Sequence, residues 1–151
     1  MLSTVKSGRG YYMEIQIKKG LDALQAEAVL RLLSQTIWAC NRDKEAIMES
    51  WKHSVCYGAY TADGKQIGFA RVITDYATHY YICDVVVDAD FRHKGVGTAL
   101  LKTITTEDTY RSLLGMLITE EAEHFYEPFG FRKDSICFMT RKGMPESATN
   151  E

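Results

Sequence analysis

Alternating apolar and polar residues mark the first predicted strand, residues 13–18 (MEIQIK). The period then becomes helical, because apolar residues recur three or four positions apart over residues 21–34. A second helix is predicted over residues 43–53, with Asn41 or Asp43 as its N-cap. The first third of the chain therefore predicts a strand followed by two helices.

Three runs of β-branched and aromatic residues follow, and each is predicted to be a strand. The runs are Val55–Thr61 (VCYGAYT), Gln66–Thr74 (QIGFARVIT) and His79–Val87 (HYYICDVVV). The first two are joined by a loop that contains Asp63-Gly64, a strong hairpin signal, and the next two by residues 75–78. Short connections of this kind predict an antiparallel meander.

The last third of the chain alternates between helix and strand patterns. A helix is predicted from residue 96 to about residue 108, a short buried strand over 113–119, a short helix over 120–127 and a final strand over 136–141. The whole order predicts a mixed sheet with helices on its faces, an α+β fold of the α/β-sandwich type.

Length and composition limit the chain to one ordinary domain. The 151 residues are 46% hydrophobic and 25% charged, as in average soluble domains. We expect a flexible N-terminal arm over residues 1–12, one folded domain over 13–141 and a loose polar tail over 142–151.

The charge balance excludes some classes of partner. A net charge of -2 gives no electrostatic drive toward nucleic acid or an anionic membrane, so neither is expected as a partner. No apolar stretch reaches the length of a membrane-spanning helix, and the N-terminal residues lack the apolar segment of a secretion signal. We therefore expect a cytoplasmic protein.

The four cysteines do not form a metal-binding or disulfide pattern. Cys40, Cys56, Cys83 and Cys137 are scattered, without a CxxC pair or a histidine at metal-ligand spacing. We expect no metal site, and we interpret the three cysteines in strand-like runs as small core residues in a reducing compartment.

The segment after the third strand of the meander has the composition of an anion-binding loop. Arg92, Lys94, Gly95 and Gly97 lead directly into a predicted helix. Glycines let backbone N–H groups approach an oxyanion, and the helix N-terminus adds unsatisfied donors and partial positive charge. A phosphate or pyrophosphate fits such a loop, although the Walker and Rossmann glycine patterns are absent. The alternative is a tight strand-to-helix turn that binds nothing.

Two motifs in order carry a family resemblance. Arg92-x-x-Gly95-x-Gly97 resembles the R/Q-x-x-G-x-G/A acyl-CoA signature of the GNAT superfamily of N-acetyltransferases. Further along, Ala122 to Phe131 (AEHFYEPFGF) resembles the family pattern A-x-x-x-Y-x-x-x-G-F. The resemblance extends from about Trp38 to Thr140, which is most of the chain.

The resemblance implies a mostly antiparallel sheet with a V-shaped split between residues 82–87 and 113–119. Acetyl-CoA would lie in this split as cosubstrate, with its pantetheine arm paired to backbone groups of Val85, Val86 and Val87. Its pyrophosphate would rest on the loop Arg92, His93, Lys94, Gly95, Val96, Gly97 and Thr98. Thr119 is also implied as a cofactor contact, although many members carry asparagine there.

The same resemblance places Tyr126 at the catalytic position. A phenol with a pKa of about 10 is able to protonate the departing CoA thiolate, whose pKa is about 8.5. The alternative is a packed aromatic residue. Asp84 interrupts an apolar strand and is the candidate base for the attacking amine; the alternative is a carboxylate held for structural reasons.

The predicted function is transfer of the acetyl group from acetyl-CoA to a primary amine by direct attack in a ternary complex. The residues expected near the acceptor side in this fold are Trp38, Asn41, Arg42, Tyr76, Tyr80 and Tyr81, where aromatic walls suit a small amine or the amine of a protein or peptide. For Trp38 the alternative is simple core packing. The alternatives are a non-catalytic CoA-binding sensor and a nucleotide-phosphate binder. Homodimers are common in the family, so the oligomeric state stays open.

Overall fold

One mixed sheet with helices on both faces makes up the computed structural model, which describes residues 2–7, 11–135 and 138–141. The strands are β1 (Leu2–Ser7), β2 (Tyr11–Lys19), β3 (Val55–Thr61), β4 (Gln66–Thr74), β5 (His79–Val87) and β6 (Leu114–Leu117). The helices are α1 (Ala26–Ser34), α2 (Lys44–Lys52), α3 (Val96–Thr105) and α4 (Glu123–Tyr126), with short 3-10 turns between some elements.

The strands lie in the sheet in their chain order, from β1 to β6. Each neighbouring pair from β1 to β5 is antiparallel, whereas β6 runs parallel to β5. Short turns join β3 to β4 and β4 to β5, whereas α1 and α2 lie between β2 and β3. The parallel pair of β5 and β6 needs the long crossover that α3 supplies. The predicted α+β fold with a mixed, mostly antiparallel sheet is confirmed.

Two hydrophobic clusters fill the spaces between the sheet and the helices. On one face, α3 buries Leu100, Leu101 and Ile104 against the sheet. On the other face, α1 and α2 bury side chains such as Leu32 and Trp51. These positions recur at helical spacing, so each helix turns one apolar side toward the sheet.

A β-bulge interrupts the pairing of β4 with β5. Phe69 pairs with Val86 and Arg71 pairs with Cys83, so β5 contains one residue more than β4 in this interval. Asp84 lies in the bulge with a left-handed backbone (φ 54°). An extra residue shifts the side-chain alternation by one.

The bulge divides β5 between the two clusters. Tyr80 and Ile82 belong to the cluster under α3, whereas Val86 belongs to the cluster under α1 and α2. With regular alternation these even-numbered side chains would share one face.

Most predicted elements agree with the structure. β3, β4 and β5 have the predicted bounds, and Asp43 caps α2 by accepting a hydrogen bond from the backbone N–H of Ala46 at 3.0 Å. α3 ends at Thr105, a few residues before its predicted end. The strand expected over 113–119 and the helix expected over 120–127 are shorter, as β6 and α4.

Two predictions at the ends of the domain need correction. Residues 1–12 were expected to be a flexible arm, but Leu2–Ser7 form β1 and Tyr11 begins β2. Val5 is buried against the core, and the backbone of β1 pairs with that of β2. Backbone pairing of this kind is not visible in the pattern of residue types. Of the expected strand 136–141, residues 138–141 have no regular secondary structure; residues 136–137 and the predicted tail 142–151 lie outside the described residues.

Candidate active site

The sheet opens between β5 and β6. Their ladder begins with His79 opposite Leu114 and ends with Ile82 opposite Leu117. Beyond Ile82, no described residue pairs with this edge of β5. The predicted V-shaped split is therefore present, and it leaves the backbone of the last part of β5 available to a ligand.

A cavity of about 320 Å³ lies against the end of β5. Its lining residues come from β5, from the loop after it and from the segment after α1: Val85, Val86, Val87, Arg92, Gln35, Thr36, Ile37 and Trp38. The four residues from β5 and its loop were predicted as cofactor contacts. The segment 35–38 was not, because nothing local in the sequence shows that it folds over β5. Within it only Trp38 was singled out, and that was for the acceptor side.

The N-terminus of α3 lies close to the same end of β5. Gly95 is the N-cap in a left-handed conformation (φ 84°), and no side chain caps the helix. The first-turn N–H groups of Val96, Gly97 and Thr98 accordingly have no hydrogen-bond acceptor among the described residues. These free donors and the helix dipole are the features that the predicted anion site requires.

A side chain at Gly97 would be crowded. A Cβ there would lie 3.1 Å from Cζ of Phe125 and 3.7 Å from a methyl carbon of Val87. The close approach brings the start of α3 against both the end of β5 and the segment that carries Tyr126. Gly97 therefore lies where the start of α3, the end of β5 and the segment that carries Tyr126 meet beside the split.

The cationic side chains of the loop make local contacts. Arg92 donates from Nε to the carbonyl oxygen of Val87 at 3.1 Å, which holds its guanidinium at the end of β5. Lys94 donates to the carbonyl oxygen of Asp90 at 2.7 Å and lies over the Phe91 ring. His93 is exposed and has a left-handed backbone (φ 60°). Arg92 is thus the charge that lines the cavity.

Tyr126 lies half-buried in an aromatic group beside the split. Its ring packs edge-on against Phe125 at 4.9 Å and Phe131 at 6.3 Å between centroids. Burial raises the pKa of its hydroxyl, and the nearby Tyr81 raises it further. Among the described residues its hydroxyl has no hydrogen-bond partner, so within that part of the chain its donor is unused.

Asp84 is held by two arginines. One carboxylate oxygen accepts from Arg42 Nη1 and the other from Arg71 Nε, both at 2.7 Å, and the Asp84 side chain is 3% exposed. Arg71 also donates to the hydroxyl of Ser54 at 3.0 Å. Each carboxylate oxygen of Asp84 accepts a hydrogen bond from an arginine, which is the geometry of a carboxylate that is fixed in place. Neither oxygen is free of a cationic donor, so neither is available to accept a proton from an amine.

Thr119 makes a local contact in the turn before α4, and no described side chain caps the helix itself. Its Oγ1 accepts a hydrogen bond from the backbone N–H of Ala122 at 3.0 Å, just before α4 begins. Trp38 is half-exposed rather than buried in the core, and the guanidinium of Arg42 lies 5.5 Å from its ring centroid. Arg71 was not predicted, since an arginine in a strand pattern gives no signal of its partner.

The cysteines and the other residue types that commonly bind metals form no metal site in the described part of the chain. Burial raises the pKa of Cys56 to about 12 and that of Cys83 to about 11, so both remain thiols at neutral pH. Within residues 2–7, 11–135 and 138–141, His, Cys, Asp and Glu form no group of three that would hold a metal ion. In the same residues, no helix is long and apolar enough to cross a membrane.

Comparison with known proteins identifies the family. Residues 52–133 match the family model of the acetyltransferase (GNAT) domain, which is more than half of the chain. The chain belongs to the GNAT acetyltransferase family. The matched segment contains the meander, the split, the α3 N-terminus and Tyr126. Members of this family use acetyl-CoA as cosubstrate.

Solved structures share this GNAT fold. A GNAT-family protein from Xanthomonas campestris pv. campestris is 31% identical, with a TM-score of 0.79 over 85% of this chain and 93% of the other. An aminoglycoside N-acetyltransferase in complex with CoA is 19% identical, with a TM-score of 0.68 over 90% of this chain and 98% of the other. The second likeness shows the fold alone.

A curated relative is longer than this chain. The GCN5-related N-acetyltransferase 2 of Arabidopsis thaliana, a chloroplastic protein, is 29% identical over 79 residues. The match covers 51% of this chain and 31% of the plant protein. The chain therefore corresponds to about a third of that relative.

Proposed function

We propose that this GNAT domain transfers the acetyl group of acetyl-CoA to a primary amine by direct attack in a ternary complex. One observation carries the proposal. The unpaired edge of β5 faces a cavity that ends at Arg92, close to the uncapped N-terminus of α3. The β5 edge and this cavity together form a groove. An extended polar chain fits along the β5 edge, and a diphosphate at its end fits beside Arg92 and the N-terminus of α3.

The groove gives acetyl-CoA a direction. The diphosphate is placed on the loop from Arg92 to Thr98, where backbone N–H groups and one guanidinium converge. The pantetheine arm then follows the backbone of residues 85–87 toward Asp84. The thioester is therefore expected at the Asp84 end of the groove, about 10 Å along the strand from Val87.

The chemistry needs a proton donor at the sulfur. The neutral amine attacks the thioester carbonyl, the carbon–sulfur bond breaks, and CoA leaves as a thiolate. Tyr126 remains protonated because burial raises its pKa, so its hydroxyl supplies the proton that the thiolate takes up. The new amide nitrogen loses its extra proton to water, and the phenolate left on Tyr126 after proton donation is reprotonated from water. We assign Asp84 to holding its two arginines rather than to accepting the proton of the amine.

Calorimetric titration tests the binding half of the proposal. Acetyl-CoA is expected to bind with a Kd below about 1 mM and to raise the midpoint of thermal unfolding. ATP is the control for a general phosphate site and is expected to stabilise less. Absence of any heat at millimolar acetyl-CoA would contradict the proposal.

Thiol release tests the catalytic half. Release of CoA is expected to require an added amine, and Tyr126→Phe is expected to lower the rate about tenfold or more. Tyr80→Phe is the matched control, because Tyr80 packs against the same Phe131 and its hydroxyl has no hydrogen-bond partner among the described residues. Equal rates for both variants would remove Tyr126 from the mechanism. Stabilisation by CoA without thiol release on any amine would instead support the non-catalytic sensor.

A further inference from the structure

The Asp84 end of the groove carries more positive than negative charge. Arg42 and Arg71 both contact the carboxylate of Asp84, so two permanent cations meet one anion. Asp43, the acid next to Arg42 in sequence, directs its carboxylate to the N-terminus of α2 instead. The contacting side chains Arg42, Arg71 and Asp84 therefore carry a surplus of one positive charge.

The surplus charge is accessible at Arg42 rather than at Arg71. The Arg71 side chain is 11% exposed and donates to both Asp84 and Ser54, whereas the Arg42 side chain is 43% exposed. Arg42 uses one N–H group on Asp84, and its other donors have no hydrogen-bond acceptor among the described residues. Its guanidinium therefore has donors available for a ligand.

Two contacts hold the Arg42 guanidinium in place. The ion pair with Asp84 fixes one edge, and the Trp38 ring lies against it at 5.5 Å. A guanidinium that is already ordered loses less conformational entropy when it binds an anion. Trp38 lines the cavity together with Val85, so Arg42 stands beside the end of the groove where the thioester is expected.

We propose that Arg42 recognises a carboxylate on the acceptor, so that the substrate is a primary amine that also carries a carboxylate. This inference rests on the proposed function, because it requires that the acceptor approach the end of the groove where the thioester is expected. A planar guanidinium pairs with a carboxylate through two parallel hydrogen bonds. Polycationic amines without a carboxylate are disfavoured, because they bring like charge toward Arg42 and Arg71.

Matched pairs of acceptors test the proposal on the wild-type chain. Each pair is an amino acid and the amine left by its decarboxylation: lysine with 1,5-diaminopentane, phenylalanine with phenethylamine, and 4-aminobutyrate with propylamine. Thiol release gives kcat/KM for each. We expect the carboxylate-bearing member of at least one pair to be preferred about tenfold or more, the effect of one charge-assisted hydrogen bond.

Variants of two arginines assign the preference to its residue. Arg42→Gln is expected to lower kcat/KM for the carboxylate-bearing member about tenfold more than for its partner amine, and Arg42→Lys to restore part of the difference. Arg31→Gln is the matched control. Arg31 is 45% exposed and pairs at 2.6 Å with Asp88, a carboxylate that is 4% exposed, so its loss perturbs the fold similarly. It is expected to leave the ratio within each pair unchanged.

The outcomes separate the two proposals. Equal kcat/KM within every wild-type pair overturns the inference, as does an Arg42→Gln variant that slows both members of a pair equally, since that is the result of a purely structural role. Thiol release from no amine at all overturns the proposed function itself. The ratio within a pair does not depend on the fraction of folded enzyme, so a destabilised variant still gives a decisive result.

Discussion

Replacing Asp84 with asparagine distinguishes a fixed anion from a catalytic base. The substitution keeps the shape of the side chain and removes the charge that Arg42 and Arg71 share. If Asp84 holds the arginines, the main loss is in stability. If it accepts the amine proton, the main loss is in the chemical step.

The structure sets the expected loss of stability. Removing one partner of a buried ion pair costs about 3–5 kcal/mol, because an uncompensated charge is left behind. Arg71 is 11% exposed and meets this condition, whereas Arg42 is 43% exposed and its interaction is screened by solvent. We therefore expect the lower end, about 3 kcal/mol, which lowers the midpoint of thermal unfolding by about 6–12 °C in a domain of this size.

The assay combines thermal unfolding with kinetics on an amine that lacks a carboxylate, so that Arg42 takes no part in recognition. At a temperature where Asp84→Asn is folded, we expect kcat within about fivefold of wild type and an unchanged pH profile. Asp88→Asn is the control and is expected to cost less, about 1–2 kcal/mol, because its partner Arg31 is half-exposed. An unaltered unfolding midpoint with kcat reduced about a hundredfold would refute the reasoning and make Asp84 the base.

Further predictions concern the loop, the core and acid stability. Gly95 and Gly64 share a φ of 84°, so Gly95→Ala and Gly64→Ala should each lower the free energy of unfolding by about 1–2 kcal/mol in denaturant. Only Gly95→Ala should weaken acetyl-CoA binding in calorimetry, and equal affinities of the two variants would contradict the role of the loop. Leu100→Ala should lower the free energy of unfolding in urea by about 2–5 kcal/mol, because the Leu100 side chain is fully buried between α3 and the sheet. A loss below about 1 kcal/mol would show that neighbouring side chains fill the space that leucine leaves. Burial opposes ionisation of Asp88, but the hydrogen bonds from Arg31 and from the backbone N–H of Asp90, with the charges of Arg31 and Lys65, together outweigh it, and the pKa of Asp88 is lowered. The stability from this pair should therefore be complete above about pH 4, the unfolded value, and be lost as the pH falls through the folded pKa. Unfolding free energies measured from pH 6 downward should show a weaker decline in Arg31→Gln, and identical slopes would exclude the pair as the cause.

Elements with strong local patterns could be predicted from the sequence. β3, β4 and β5 have the predicted bounds because β-branched and aromatic residues fill them and short turns separate them. Asp43 caps α2 because the contact with Ala46 spans three residues. In these cases the deciding interactions lie within a few positions along the chain.

The conformation of the glycine loop was predictable for the same reason. Gly95 supplies the left-handed N-cap and Gly97 the close approach, and both requirements are local properties of the backbone. What lies opposite the loop was not predictable. The residues 35–38 that form the outer wall of the cavity are separated from β5 by about fifty positions, and only the packing of α1 on the sheet brings them there.

The meander, the helix that follows it and the glycine loop between them can be read from the sequence alone, because each depends on side-chain periodicity or backbone freedom over a few residues. The remaining features depend on packing between distant segments. The bulge at Asp84 changes which side chains of β5 face each helix layer, and it requires the register of β4. The charge of Asp84 is satisfied by Arg42 and Arg71, which lie 42 and 13 positions away. A carboxylate in a strand pattern looks the same whether it is free or paired, because its partners are chosen by the packing of distant segments and not by its neighbours in the chain.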